Sequence, residues 1–226
     1  MKKKYNIKLL KKHIEREERT DGSFEVNTKQ ESSKSENEDV MGSCYEEKEK
    51  FFNHVDERWQ MEKACHFSRT LNLIEINPKQ DIIKELSLNP RVTKLKGDGN
   101  CHFRSICLTL TGRQRQHNVV RDDIVKWMNE NYKLIKNNFG QKYLEESNME
   151  LDGEWATEAE VLSTAAFLNT DIEILCRIGD ACKSRAEWLC YKSNKLGKPV
   201  KSKKKIYLSN ILGNHFDFVQ SMDLNL

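Results

Sequence analysis

The sequence predicts an α+β domain, a small mixed sheet flanked by helices, behind a charged N-terminal extension. Three observations predict it. Apolar residues recur at helical spacing through residues 101–168. Short alternating segments follow through residues 171–219. Helices gathered before strands argue for segregated layers rather than alternating βαβ units. Finally, 226 residues with 37% hydrophobic and 32% charged content suit one ordinary domain plus a segment outside its core.

Residues 1–44 open basic over 2–12 and turn acidic and serine-rich over 31–39. They are expected to be a disordered charged tail, with a short helix over 9–19 at most, and to carry no chemistry. A solvated tail is preferred to a partner-binding one. Residues 45–90 read as a helical extension packing on or flanking the domain. Phe51, Phe52, Val55, Trp59, Met61 and Cys65 fall near one broad stripe. Leaving Trp59 and Phe52 wet is unfavourable, which prefers packing. A second helix is expected over 80–88, ended before Pro90. Residues 91–222 form the main domain, entered by an extended lead over 91–96.

Phe103, Ile106, Cys107 and Leu110 mark a helix stopped at Thr111-Gly112. A long helix is expected over 116–138, burying Val119, Val120, Ile124, Trp127, Met128, Tyr132 and Ile135. Arg121 reads as a surface charge on it. A short helical piece over 142–146 leads to an Asp152-Gly153 turn. Thr157 and Glu160 form a capping box that starts a helix through Leu168. Trp155, just before it, walls a substrate or plugs the core, and the core is preferred. Strands are expected over 171–177, 187–191, 205–208 and 215–219. For the basic run over 198–205, a solvated loop and a functional patch (a nuclear signal or a site for an acidic surface) stand level.

The chemistry gathers where Lys96-Gly97-Asp98-Gly99-Asn100 turns into a helix beginning at Cys101. Free backbone N–H groups and the positive end of the helix dipole favour thiolate there. Glycines allow close approach of a substrate carbonyl, so Cys101 and the 98–100 loop promise a nucleophile with an oxyanion hole. A base is supplied by His215-Phe216-Asp217, where strand alternation points His215 and Asp217 the same way. Asp217 is expected to accept the Nδ1–H of His215. His102 is adjacent to Cys101, but neighbouring helical residues diverge by about 100°, so it should point elsewhere. His13, His54, His66 and His117 have no acidic partner at strand spacing and read as surface residues. Cys107, Cys176 and Cys190 read as small core residues. Cys44 and Cys65 lie in the extension, and Cys182 lies in a loop without a base. A metal site from Cys101, His102 and His215 lacks a fourth ligand.

Asp98-Gly99-Asn100-Cys101 with Phe103 and Arg104, then Trp155-Ala156-Thr157-Glu158, then His215-Phe216-Asp217 resemble the blocks of the ovarian-tumour (OTU) family of cysteine proteases. Most members cleave ubiquitin from proteins. The resemblance spans roughly 94–222 and implies a papain-like OTU fold. It also implies a thiol-dependent ubiquitinyl hydrolase acting on isopeptide or peptide bonds at the C-terminus of ubiquitin or a ubiquitin-like modifier. The implied partners are ubiquitin and ubiquitinated proteins. The alternative is a catalytically silent ubiquitin-binding or scaffold module of the same fold. On this reading Cys101 is the nucleophile, His215 the general base and acid, and Asp217 the residue that orients it. Asp98 shapes the loop on the oxyanion side, though the family often counts it in the catalytic set, and the triad acid stays open between the two. Gly99, Asn100, Trp155 and Asn214 are the candidate substrate-binding residues.

Composition excludes some classes. A net charge of +3 sets up no field demanding nucleic acid. No apolar run reaches the roughly 18 residues of a membrane span, and the basic N-terminus lacks a signal core of about 7–15 apolar residues. Seven cysteines without a Cys-x-x-Cys pair fit reduced thiols. The chain is expected in the cytosol or nucleus, with no metal or organic cofactor.

Overall fold

The computed structural model describes residues 51–69, 71, 84–178, 185–197, 203–210, 213 and 215–222. The expected tail over 1–44 lies outside the described residues. So do 72–83, part of the basic run, Cys182 and Asn214.

Among the described residues, three short strands and one helix come first, then five helices in succession, then the four longer strands. The elements are β1 (Phe51–Phe52), α1 (Glu57–Ala64), β2 (Lys84–Glu85), β3 (Pro90–Thr93), α2 (Cys101–Thr111), α3 (His117–Glu130), α4 (Tyr132–Phe139), α5 (Tyr143–Glu146), α6 (Glu158–Leu168), β4 (Ile172–Ile178), β5 (Arg185–Tyr191), β6 (Ile206–Asn210) and β7 (Asp217–Met222). A five-stranded sheet runs β3-β7-β6-β4-β5. It is mixed, because β4 and β6 pair in parallel while the other neighbours are antiparallel. β1 and β2 make a small separate pair. The predicted α+β class, a small mixed sheet flanked by helices, is the class observed.

Side-chain alternation along the strands divides the interior into two layers. Ile206 and Leu208 face the main core with Phe103, Ile106, Val120, Ile124 and Leu168. Tyr207 points the other way, into a smaller cluster with Phe52, Val219 and Met222. α2 runs through the main core, and Gly112, at φ 75°, ends it in the left-handed region that glycine adopts without a steric penalty. The capping box of α6 is formed as expected. Thr157 accepts from Ala159 N, Glu160 accepts from Thr157 N, and the Tyr143 hydroxyl also donates to Glu160.

The segment before the main domain packs into the same interior. Trp59 Nε1 donates to Thr170 Oγ1 at 2.8 Å and Gln60 Nε2 to Thr109 O at 2.9 Å. Phe67 and Leu71 are buried alongside.

Several expectations are corrected. The stripe over 51–65 is not one helix: Asp56 caps α1, so Phe51-Phe52 lies in a strand, and Phe51, Met61 and Cys65 face solvent. The helix over 80–88 is absent where the chain is described, because Lys84–Glu85 pairs with Phe51–Phe52 instead. The helix over 116–138 breaks at Asn131, whose backbone (φ −103°, ψ 29°) leaves the helical well. The break turns Tyr132 outward, to 39% exposure. His54 is buried against Phe52, Tyr207 and Phe218, and burial lowers its pKa to about 4. His117 is half-buried and contacts Arg104. Lys205, in the basic run, is also buried and pairs with Glu173 at 2.6 Å.

Candidate active site

Cys101 is the first residue of α2, and the sheet brings the 215–217 segment against it. The Phe216 N–H donates to Cys101 Sγ at 3.3 Å, which fixes the neighbouring His215 beside the sulfur's loop. His215 Nε2 lies 3.0 Å from Asp217 Oδ1. The expectation paired Asp217 with Nδ1, and the ring is turned the other way. Nδ1 instead faces Gly97, 3.6 Å from where a Cβ on that glycine would stand. When Nε2–H is given to Asp217, a neutral ring keeps a lone pair on Nδ1, on the Gly97 side.

Asp217 is 4% exposed. Its Oδ1 also accepts from Leu95 N at 2.9 Å, and its Oδ2 from the exposed Lys94 Nζ at 2.7 Å. β3 is the strand next to β7, so the residues leaving it reach this carboxylate.

Asp98 has different company. Arg104 holds it with Nη2 at 2.7 Å from Oδ2 and Nε at 3.3 Å from Oδ1, and Asn100 N donates to Oδ1 at 3.2 Å. The Arg104 hydrogen bonds keep this carboxyl well below the usual carboxylate range, against the opposing effect of partial burial. The Asn100 N–H, expected as part of the oxyanion hole, is therefore spent on Asp98.

Cys101 is 1% exposed, and burial raises its thiol pKa. Hydrogen bonds from the N–H groups of Phe216, His102 and Cys101 pull the other way without overcoming it. The helix start alone was expected to favour thiolate; desolvation of a nearly enclosed sulfur is the larger effect. His102 points into the core, 2.9 Å from Thr164 Oγ1, as its helical phase requires.

Gly99 and Asn100 are both buried. Gly99 sits at φ +84°, and a Cβ there would fall 1.6 Å from Gly153 O, so only glycine fits. Asn100 turns its side chain inward, leaving main chain as what this pair offers a ligand. Trp155 is half-buried against the main core, and its ring edge also lies 3.9 Å from the Cβ position on Gly97.

Sequence reasoning missed Arg121. It is 2% exposed, not a surface charge. Its guanidinium donates to Gly99 O, Asn100 Oδ1, Met149 O and Glu154 O and lies 4.2 Å over the Phe103 ring. The signal was present: residues 121, 124, 125 and 128 share one helical face, and the other three are apolar and buried.

Among the described residues no group of three or more His, Cys, Asp or Glu is placed to hold a metal ion. No helix among them is long and apolar enough to cross a membrane.

Comparisons with known proteins bear on the same stretch. A family model described as "OTU-like cysteine protease" matches residues 96–216. An Arabidopsis thaliana protein, "OVARIAN TUMOR DOMAIN-containing deubiquitinating enzyme 9", is 26% identical over 124 residues, which make up 54% of this chain and 36% of the relative. The chain thus spans about a third of the length of the curated relative it matches. Among solved structures, the OTUD1 OTU domain is 22% identical with a TM-score of 0.48, over 57% of this chain and 83% of that one. An OTU deubiquitinase of Wolbachia pipientis wMel bound to ubiquitin is 15% identical with a TM-score of 0.44, over 58% and 95%. The family match runs from the loop before Cys101 to the start of the last strand and covers more than half of the sequence: the chain belongs to the OTU-like cysteine protease family.

Proposed function

We propose that this chain is a thiol-dependent ubiquitinyl hydrolase, a deubiquitinase. It would cleave isopeptide or peptide bonds at the C-terminus of ubiquitin or a ubiquitin-like modifier. The observation that carries the reading is the convergence of Cys101, His215 and Asp217, with the Phe216 N–H on the sulfur and His215 Nε2 on the carboxylate. Family membership and the name of the Arabidopsis relative support the choice of substrate.

In this mechanism His215 Nδ1 takes the proton of the Cys101 thiol as the sulfur attacks the scissile carbonyl. Burial of the sulfur disfavours a free thiolate, which suits a proton transfer that accompanies attack. Backbone N–H groups at the start of α2, that of Cys101 first, face the developing oxyanion. The imidazolium, held by Asp217, gives its proton to the departing lysine amine. Water, deprotonated by the same ring, then hydrolyses the thioester. Asp98 serves the loop: its carboxylate is spent on Arg104 and Asn100, which leaves Asp217 as the partner of His215. Gly97 and Trp155 lie beside Nδ1, and the side chain that Gly97 lacks there leaves room suited to a slender, glycine-like chain end.

On the same reading the protease domain occupies 91–222, braced by the 51–71 segment. The chain works in the cytosol or nucleus on ubiquitinated proteins, with no cofactor in the chemistry. The test is hydrolysis of a fluorogenic amide at the C-terminus of ubiquitin. Turnover by the wild type, lost in Cys101→Ala while the circular dichroism spectrum and ubiquitin binding persist, supports it. Hydrolysis retained in Cys101→Ala, or a wild type that binds ubiquitin without cleaving, refutes it; the second result is that of a silent binding module.

A further inference from the structure

Asn100 occupies the N-cap position of α2, where an asparagine side chain ordinarily accepts a hydrogen bond from the N–H two or three residues on. Here it makes no capping bond. Its Oδ1 accepts instead from Arg121 Nη2 at 2.9 Å and from Gly153 N at 3.4 Å. The same Nη2 holds Gly99 O at 3.2 Å and Glu154 O at 2.7 Å, while Nη1 holds Met149 O at 2.9 Å. Gly99 and Gly153 touch so closely that no Cβ fits between them at Gly99. One buried guanidinium thus ties the loop before Cys101 to the 149–154 loop and draws the natural cap away from the helix end.

We infer that Arg121 is a positioning residue for the oxyanion hole, a role that rests on the proposed hydrolase function. By engaging Asn100 Oδ1 and Gly99 O, it keeps the first-turn N–H groups of α2 uncapped and the loop carbonyls turned away from the cleft. Those N–H groups, of which Cys101 and His102 rest against the Cys101 sulfur, can then turn to the charge that develops on the scissile carbonyl oxygen. Without Arg121 the Asn100 side chain is free to cap the helix and compete with the oxyanion. Arg121 sits outside the cleft, touches no reacting atom and keeps its charge through the reaction.

Such a role predicts a split between kinetic quantities. Arg121→Lys keeps the charge but cannot fork to the same acceptors, and Asn100→Ala removes the side chain that Arg121 holds. Arg121→Lys should lower kcat on the fluorogenic ubiquitin amide by about 10–100-fold, up to the lower edge of the loss seen when an oxyanion donor is removed outright, whereas Asn100→Ala, which leaves no side chain to cap the helix, should cost less than about threefold. KM and the alkylation rate of Cys101 by iodoacetamide, a displacement that forms no oxyanion, should each stay within about threefold. The double variant should regain most of the kcat that Arg121→Lys loses, because the competing cap is then gone. Unchanged kcat in Arg121→Lys, no recovery in the double variant, or alkylation falling in step with kcat would overturn the inference. Should Arg121→Lys lose its thermal transition, Asn100→Ser decides: its short hydroxyl caps the helix and does not reach Arg121, so kcat should fall with the same split, and unchanged kcat there overturns the inference. A wild type alkylated at Cys101 yet inert toward the amide would overturn the hydrolase reading and this inference with it. Loss of the split in an active enzyme overturns only the inference.

Discussion

The loop before Cys101 and the start of β7 each carry an aspartate with a hydrogen-bonded cationic partner, and they use it differently. Asp98 gives both oxygens to Arg104, a guanidinium with no part in proton transfer, with Asn100 N on one of them. Asp217 gives Oδ1 to His215, the proposed proton carrier, and Oδ2 to a lysine whose side chain is 74% exposed. Two chemically identical side chains thus do different work. One fixes a loop at all ordinary pH values; in the proposed mechanism the other stabilises a charge that appears only during reaction. The difference lies in the partner, and a three- or four-residue sequence motif does not contain the partner.

The sharpest way to break the comparison is to remove each carboxylate in turn. Asp217→Ala frees the His215 ring and withdraws support from the imidazolium, so kcat should fall by about 10²–10⁴-fold with KM little changed. Asp217→Asn should lose less if orientation dominates, because an amide oxygen still accepts the Nε2–H. Equal losses in the two variants would assign the effect to charge. Full activity in Asp217→Ala would return the third place of the triad to Asp98.

Asp98→Ala should act through structure. It leaves Arg104 and the Asn100 N–H unsatisfied, so both the melting temperature and kcat/KM should drop, kcat/KM by about tenfold, the scale expected when a supporting hydrogen bond of ~1–2 kcal/mol is lost. Asp98→Asn should retain much of each. The pH dependence carries a definite sign. The folded-state pKa of Asp98 is depressed below its ordinary 3.8, so its stabilisation is fully present above about pH 4 and is lost as pH falls further. The wild type should therefore be more stable than Asp98→Asn at pH 7, with the gap closing below pH 4 in acid-unfolding curves. A gap independent of pH would remove the carboxylate from the account of the loop.

Lys94→Ala should give the smallest effect, under about threefold in kcat. An exposed ammonium is screened by water and salt even at 2.7 Å from Asp217. A larger loss, abolished by 0.5 M salt in the wild type, would show that Lys94 tunes His215 through the carboxylate.

What was legible in the sequence follows the same division between motif and partner. Cys101 was readable because glycines and a helical apolar phase meet there, and His215 with Asp217 because strand alternation is strictly local. The α+β class was readable from helical periods preceding strand periods. Arg121 was misread as surface although its spacing to Ile124, Val125 and Met128 put it on the buried face. Charge outweighed phase in that reading, and the carbonyls that satisfy it come from residues 22 to 33 positions away. The ring orientation of His215 depends on Gly97 and Asp217 together, which no local pattern supplies. The break at Asn131 and the β1–β2 pairing that replaced a helix are likewise tertiary choices, made where propensity was weak.

The most direct test of the central claim is intact-mass analysis of the chain after incubation with ubiquitin carrying a C-terminal electrophile. One ubiquitin adduct per chain, mapped by peptide sequencing to Cys101, suppressed in Cys101→Ala and indifferent to chelators, is the predicted result. An adduct on Cys65, Cys107, Cys176 or Cys190, or none at all on a chain that still binds ubiquitin, would contradict it.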